Sequence, residues 1–481
     1  MSQSSAPAAP RLSFWTKFIY GSGDWSIASF GTLRQIFYAI FLTDVVGLDA
    51  RLASFAALIG IIWDAVNDPI VGTISDRLHT RWGRRRPFLL FFTIPFGLCF
   101  MLLWWAPPWE SQISRAITVM LAFMISDTFQ TLVTVPFYAM MPEVAPEYDQ
   151  RTSLAGYRMV FNLLASLATA VAAPMIVKSG VQAGLSLQQG YLTVSALFGG
   201  LAMLPFFAIF IFIREKKPAP SSKTAPAEPS FFQVARTAWR NKPFRFATAL
   251  YMFNWITFDL VALMLPFYLT YWMAGGNLIA SVPLLGGTIA LESVVLGLLL
   301  ITAVIAVPFW TWLSIRLDKR SAYIIGMGFW VVVQLLIFSL QPGQIGRIIF
   351  FAFLAGLSVS TAHVLPDAIF PDVIEWDELK TGQRHEGIYY GVKNFVRKLT
   401  GALATFLALQ VLGWFGYMSP PHGATTFLQS PVTLTAIRIM TGPMGALLQL
   451  ISIGVAWFYP LTRERHARIR AALARRKLEK P

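Results

Sequence analysis

The sequence holds one cysteine, Cys99, and five histidines in 481 residues. That excludes a disulfide scaffold and argues against a Cys/His metal centre. Charged residues are also scarce, at 13%, against about 25% in an ordinary soluble domain. Glycine and proline stand near average, which excludes a collagen-like or low-complexity chain. A nucleotide-binding glycine loop, a metal-binding motif and a stretch resembling a soluble catalytic domain are all missing, so an enzyme reading has no support. Residues 1–13 are polar, and the first apolar run is long enough to span a bilayer, so no cleaved signal peptide is expected.

What is abundant is apolar side chain, 56% of the total. A membrane helix needs about 20 apolar residues, and the hydropathy places twelve: 24–46, 52–75, 86–107, 116–141, 153–177, 190–213, 246–272, 291–315, 321–341, 348–371, 387–413 and 438–461. Runs such as Val294–Val307 are apolar almost throughout. A transmembrane barrel would alternate instead. The expected fold is an all-α membrane protein of two six-helix bundles, 1–213 and 246–462. A Pro/Ser/Ala-rich linker, 214–245, joins them, and a basic tail, 463–481, follows. Weak internal echoes support two parallel repeats around a central cavity, the plan of major facilitator transporters. Phe41-Leu42-Thr43 closes the first span and Tyr268-Leu269-Thr270 the seventh.

Basic residues outnumber acidic ones, giving a net charge of +15. Their placement argues against nucleic acid as a partner. Of 39 Lys and Arg, 29 fall in the termini and in the loops on one face, and five on the other. By the positive-inside rule both termini are cytoplasmic, and the basic tail serves topology and contact with the lipid surface. In the loop from Gly72 to Pro87, Asp76, Arg77 and Arg84 sit where arginines can bind acids and helix-end carbonyls. There they would hold the two halves together in one alternating-access state.

Charges inside spans are costly and default to function. Asp64 and Asp68 lie four apart in the second span, hence on one helix face. Two such carboxylates tolerate burial when a cation sits between them or one is protonated. Oxygen ligands alone suit a hard cation, Na⁺ or a proton, rather than a transition metal. In the fourth span Thr131 could add a neutral oxygen. Asp127 either adds to the cation site or pairs with Arg34 of the first span. The fifth span carries Arg158, and the eleventh carries Lys393, Arg397 and Lys398. Lys398 lies about 17 Å deep at 1.5 Å per residue, with Asp259 of the seventh span its best partner and Asp367 a second. Tyr138, Trp255 and Tyr390 stand near the same depth, available for stacking on a sugar ring or for ordinary helix packing.

With those residues in place the sequence resembles the glycoside–pentoside–hexuronide:cation symporter family, the melibiose-permease-like branch of the major facilitators. The resemblance runs through Tyr20-Gly21…Asp24, Thr43-Asp44-Val45-Val46-Gly47, Trp63-Asp64-Ala65-Val66-Asn67-Asp68-Pro69, Thr80-Arg81-Trp82-Gly83-Arg84, Val135-Pro136-Phe137-Tyr138 and Pro371-Asp372-Val373-Ile374-Glu375-Trp376…Gly382…Arg384. It implies that Asp64, Asp68 and Thr131 bind the cation, that Arg158 belongs to a sugar site, and that Lys398 serves the cation site and coupling. It also implies that Tyr138 takes the place of a tryptophan that stacks on sugar. The family's galactoside clamp is absent. Its first-span Lys–Asp pair is replaced by Ile27 and Ala28, and a fourth-span aspartate by Thr134.

The expected function is therefore secondary active symport of a sugar or glycoside with Na⁺ or H⁺, without any other cofactor. The substrate-binding candidates are Arg158, Tyr138, Thr134, Lys398, Arg34 and Trp255. Those for coupling and gating are Lys398, Arg397, Asp259, Asp76, Arg77 and Arg84. The basic excess of Arg34, Arg158, Arg397 and Lys398 suggests an acidic sugar, a hexuronide or sulfosugar, unless Asp127 and Asp259 neutralise it. The alternative is the related sodium-dependent lysophospholipid transporters, since an apolar first-span face (Ile27, Ala28, Phe30) would suit a lipid tail. A monomer in the plasma (bacterial inner) membrane is the expected state, because one chain encloses the cavity.

Overall fold

The computed structural model describes residues 12–78, 80–145, 147–215, 238–284, 286–382, 385–421 and 423–479. Most of the linker, the first eleven residues, Arg384 and the last two residues of the tail lie outside them.

The first half consists of α1 (Phe14–Ile40), α2 (Ala50–Arg77), the short α3 (Arg86–Phe91) with α4 (Thr93–Leu103), α5 (Gln112–Val144), α6 (Tyr148–Gln182) and α7 (Leu187–Phe212). The second consists of α8 (Lys242–Phe267), α9 (Leu291–Arg316), α10 (Lys319–Phe338), α11 (Ile345–Thr381), α12 (Glu386–Trp414) and the pair α13 (Pro431–Ile439) and α14 (Gly445–Trp457). A final helix, α15 (Arg463–Glu479), follows. Wide π turns extend α1 to Val45 and α8 to Met273, and join α13 to α14. Among the described residues, ten helices are long and apolar enough to cross a membrane. The first and third of the twelve expected spans fall outside that set. The first carries Arg34 and Gln35 in its apolar stretch, and the third breaks at Phe92 into α3 and α4. The loop expected between the seventh and eighth spans contains a small hairpin, β1 (Ser281–Leu284) against β2 (Gly287–Ala290), so the chain is not purely helical.

Local chemistry sets the ends. Ser13 caps α1 by accepting from the Thr16 N–H, and Ser186 and Gln189 form a capping box on α7. Gly382, at φ 73°, ends α11 in the left-handed conformation that glycine adopts without strain. One buried apolar cluster runs through the first half and on into α8, α9 and α12 of the second, and a separate one lies within the second half. Phe30 packs edge-on against Phe100 at 5.0 Å, and Phe137 against Phe206 at 5.7 Å. In the second half the buried Tyr323 hydroxyl links Asn254, Gln449 and Ser452 across three helices. That satisfies polar groups which would be costly in a membrane interior.

The halves meet through α1 on α8, α2 on α12 and α6 on α9. The α2–α12 contact needs Gly413, where an added Cβ would lie 2.3 Å from Arg51 Cγ. Nearby, the Gln410 amide donates to Ser54 Oγ at 2.8 Å. On α6 and α9, Ser293 donates to the Val171 carbonyl at 2.6 Å. Asp44 accepts from Tyr271 at 2.6 Å and from Tyr417. All these contacts lie at the end opposite the basic loops, so the molecule is clasped there.

Candidate functional site

Between the halves lies a cavity of about 600 Å³, walled by α1, α2, α5, α8 and α12. Its polar lining includes Arg34, Gln35, Asp64, Asp68, Gln130 and Thr131, with Thr134, Tyr138, Asp259, Arg397 and Lys398. Ile27, Leu42, Leu263 and Leu409 supply apolar wall.

On α2 the four-residue spacing places both carboxylates toward α12. Lys398 Nζ reaches across the interface to Asp64 Oδ2 at 2.8 Å and to Asp68 Oδ2 at 2.5 Å. Thr131 on α5 donates to the other Asp68 oxygen at 3.2 Å. A lysine ammonium thus occupies the position between two carboxylates and a hydroxyl. This donor set, all oxygen with two of its three groups anionic, fits a hard cation. Pro69 follows Asp68 and removes the N–H that would bond the Ala65 carbonyl.

Asp259 is not the partner of Lys398. It takes two hydrogen bonds from Arg397, at 2.6 and 2.9 Å, and a third from Gln35 Nε2 at 2.7 Å. Residues 397 and 398 point about 100° apart on a helix. α12 packs against both α2 and α8, so one cation faces each neighbour. Asp367 pairs with Lys393, not with Lys398.

Arg34 binds Asp127 at 3.1 Å and sits over the rings of Phe30 and Phe123. The second Asp127 oxygen has no hydrogen-bond donor among the described residues and stands against Asp64. Asp127 therefore pairs with Arg34 while standing next to Asp64.

Arg158 donates through Nε and Nη2 to the two carboxylate oxygens of Asp24 on α1, the Nη2 contact at 3.3 Å, and lies 4.5 Å over the Tyr138 ring. Neither Arg158 nor Trp255 forms part of the cavity wall. Trp255 instead stacks beneath Arg397, 4.0 Å away. Tyr138, Thr134, Arg34 and Lys398 do line it. Sequence reasoning gave no role to Asp24, Gln35 or Asp44. The signal for Asp24 was its charge inside the α1 run, one turn from residues facing the fifth span.

In the basic loop the arginines bind acids and helix carbonyls. Arg84 binds Glu143 at 2.8 Å, Arg85 bridges Glu143 and Asp76 at 3.0 Å each, and the backbone N–H groups of Arg84, Arg85 and Arg86 donate to Glu215. In this state, closed at the opposite end, the partners shown for Asp76 and Arg84 are Arg85, Glu143 and the linker residue Glu215. The basic tail also does more than carry charge. α15 packs on α11, with His466 Nε2 2.7 Å from Glu375.

A family model described as MFS/sugar transport protein matches residues 19–463. An uncharacterized symporter of Synechocystis is 30% identical, with 99% of each chain covered. A zebrafish sodium-dependent lysophosphatidylcholine symporter is 26% identical over 95% of this chain and 88% of its own. The isoprimeverose transporter of Lactiplantibacillus pentosus is 24% identical over 88% and 84%. Among solved structures, the nucleoside transporter NupG aligns with a TM-score of 0.61 at 10% identity, covering 92% of this chain and 98% of that one.

Proposed function

This chain belongs to the MFS/sugar transport family of the major facilitator superfamily, and from that premise we propose that it is a cation-coupled symporter of a neutral sugar or glycoside. The observation that carries the reading is Lys398, which spans the interface to hold both Asp64 and Asp68. Na⁺ or H⁺ arriving at those carboxylates competes with the ammonium. Occupancy of the site then changes how firmly the halves are joined. A substrate that binds better to the rearranged cavity is favoured by the cation, and the coupling is reciprocal.

The charge inventory turns the substrate reading from acidic to neutral. Arg34, Arg158, Arg397 and Lys398 each have a carboxylate partner, and five aspartates face these four cations. An acidic sugar would have to break one of those pairs. Neutral donors and acceptors remain for hydroxyl groups: Gln130, Thr134 and Tyr138. The positive-inside rule supports a cytoplasmic side for the basic loops and both termini.

One further reading has support. The relatives include lysolipid symporters, and Ile27, Leu42, Leu263 and Leu409 give the cavity an apolar side. Proteoliposomes loaded under a Na⁺ gradient or a pH gradient separate the two. The expected result is accumulation of a neutral glycoside under one of them. Movement of lysophosphatidylcholine with no glycoside uptake would replace the sugar reading with the lipid one. A hexuronide taken up in preference to neutral glycosides would reverse the charge argument.

A further inference from the structure

Arg34 and Gln35 are neighbours on α1, and Arg397 and Lys398 are neighbours on α12. Each pair sends one side chain to its own half and one across. Arg34 holds Asp127 within the first half, while Gln35 donates across to Asp259 at 2.7 Å. Arg397 holds Asp259 within the second half, while Lys398 reaches across to Asp64 and Asp68. Together they form a ring of polar contacts around the cavity, crossing the interface at Gln35–Asp259 and at Lys398–Asp64/Asp68.

The two crossings differ in kind. The Lys398 crossing is an ion pair that a second cation can replace. The Gln35 crossing has a neutral donor on a carboxylate whose charge Arg397 already offsets, so it offers a second cation less than the aspartate pair does, and it holds less strongly than an ion pair would. When the aspartate pair of α2 is neutralised, the Gln35 contact is the mid-depth link that remains. Asp259 is already met by both guanidinium nitrogens of Arg397. Losing Gln35 therefore leaves no unpaired charge behind, which suits a contact that must open and close in each cycle.

We propose that Gln35 is a positioning residue for coupling: its hydrogen bond to Asp259 sets how readily the clasped end opens once Lys398 is released by the cation. This rests on the symport reading. It predicts opposite effects for two substitutions at one position. Gln35→Leu removes the donor, so that less cation is needed to open the clasped end once Lys398 is being displaced from Asp64 and Asp68. Gln35→Lys turns the contact into a second ion pair and holds that end closed even with cation present.

The test uses the full chain in lipid nanodiscs, with spin labels on Ser111→Cys and Leu428→Cys, two exposed loop positions at the clasped end on opposite halves. The native Cys99 is buried. Distance distributions are recorded in choline chloride, in rising NaCl, and over a pH series. With Gln35→Leu, the Na⁺ or proton concentration needed for half-opening falls at least tenfold below wild type. With Gln35→Lys, the Na⁺ or proton concentration needed for half-opening rises at least tenfold. Distributions and midpoints within twofold of wild type for both variants would overturn the proposal, as would shifts in the same direction. If Gln35→Leu fails to fold, the Gln35→Lys midpoint alone decides it. A wild type insensitive to Na⁺ and to pH overturns the symport reading instead. The cation-free difference between the two variants then still decides whether Gln35 governs opening.

Discussion

Arg158 of α6 and Asp24 of α1 face each other inside the first bundle, with both carboxylate oxygens engaged by one guanidinium. Asp24 is buried and the arginine is mostly so. The pair fastens α1 to α6 beside Tyr138, whose ring lies under the guanidinium. An arginine held in this way orients the cavity-lining tyrosine without itself forming part of the cavity wall.

Removing Asp24 alone leaves Arg158 charged and alone in the bundle. Breaking a buried pair from one side costs roughly 3–5 kcal/mol. Asp24→Ala should therefore lower the thermal transition of the detergent-purified protein sharply, and Asp24→Ala with Arg158→Ala should recover part of it. Thermal unfolding followed by tryptophan fluorescence measures both. A double variant that loses as much as the two singles combined would show that the residues act separately.

Much of this was legible in the sequence. Hydropathy places helices because a bilayer admits little else, and the four-residue spacing of Asp64 and Asp68 fixes a shared face whatever the tertiary structure. The pairing of Arg34 with Asp127 was open to reading because few charges occur at that depth. Lys398 was assigned the wrong partner. Spacing gives depth along a helix, but not which of two neighbouring helices each face meets, and one step from 397 to 398 changes the neighbour from α8 to α2. Gln35 and Asp44 were missed for another reason. A neutral amide and a carboxylate near a span end carry little signal until their partners, Asp259 and the Tyr271–Tyr417 pair, are brought up by the other half. The acceptors of the loop arginines, Glu143 and the linker residue Glu215, lie far along the chain, so spacing alone does not pair them.

Arg34 and Asp127 give a second cycle. Arg34→Ala strands Asp127 beside Asp64, two carboxylates without a cation between them. Asp127→Ala removes that repulsion. Uptake in the double variant should exceed uptake in Arg34→Ala by several fold, given pair couplings of about 0.5–3 kcal/mol. Losses that simply multiply would separate Arg34 from Asp127 in function.

Asp68→Asn keeps the shape of the site and removes one of its two charges. Lys398 retains Asp64 at 2.8 Å and the Thr131 hydroxyl keeps an oxygen acceptor, so the fold should stand. Cation-driven accumulation should fall to background, while exchange of substrate down its own gradient persists. Counterflow and gradient-driven uptake on the same vesicles separate these. Normal accumulation by this variant would remove Asp68 from the cation site.

At the clasped end, Asp44 of the first half accepts from Tyr271 and Tyr417 of the second, and Thr43 completes its shell at 2.7 Å. Hydrogen bonds to a charged acceptor contribute about 1.5–3 kcal/mol each. Tyr271→Phe with Tyr417→Phe should therefore weaken closure by more than a factor of ten, without touching the cavity wall. Thr405 lines the cavity on α12, and a cysteine placed there reports the change. Its alkylation by a membrane-impermeant maleimide, added from the clasped side, should speed up at least tenfold in the double phenylalanine variant. Asp44→Asn keeps a carbonyl oxygen for one tyrosine and should fall between that variant and the wild type. Equal labelling rates in all three would show that the clasp is held by the Gln410–Ser54 and Ser293–Val171 contacts, with the tyrosines contributing packing alone.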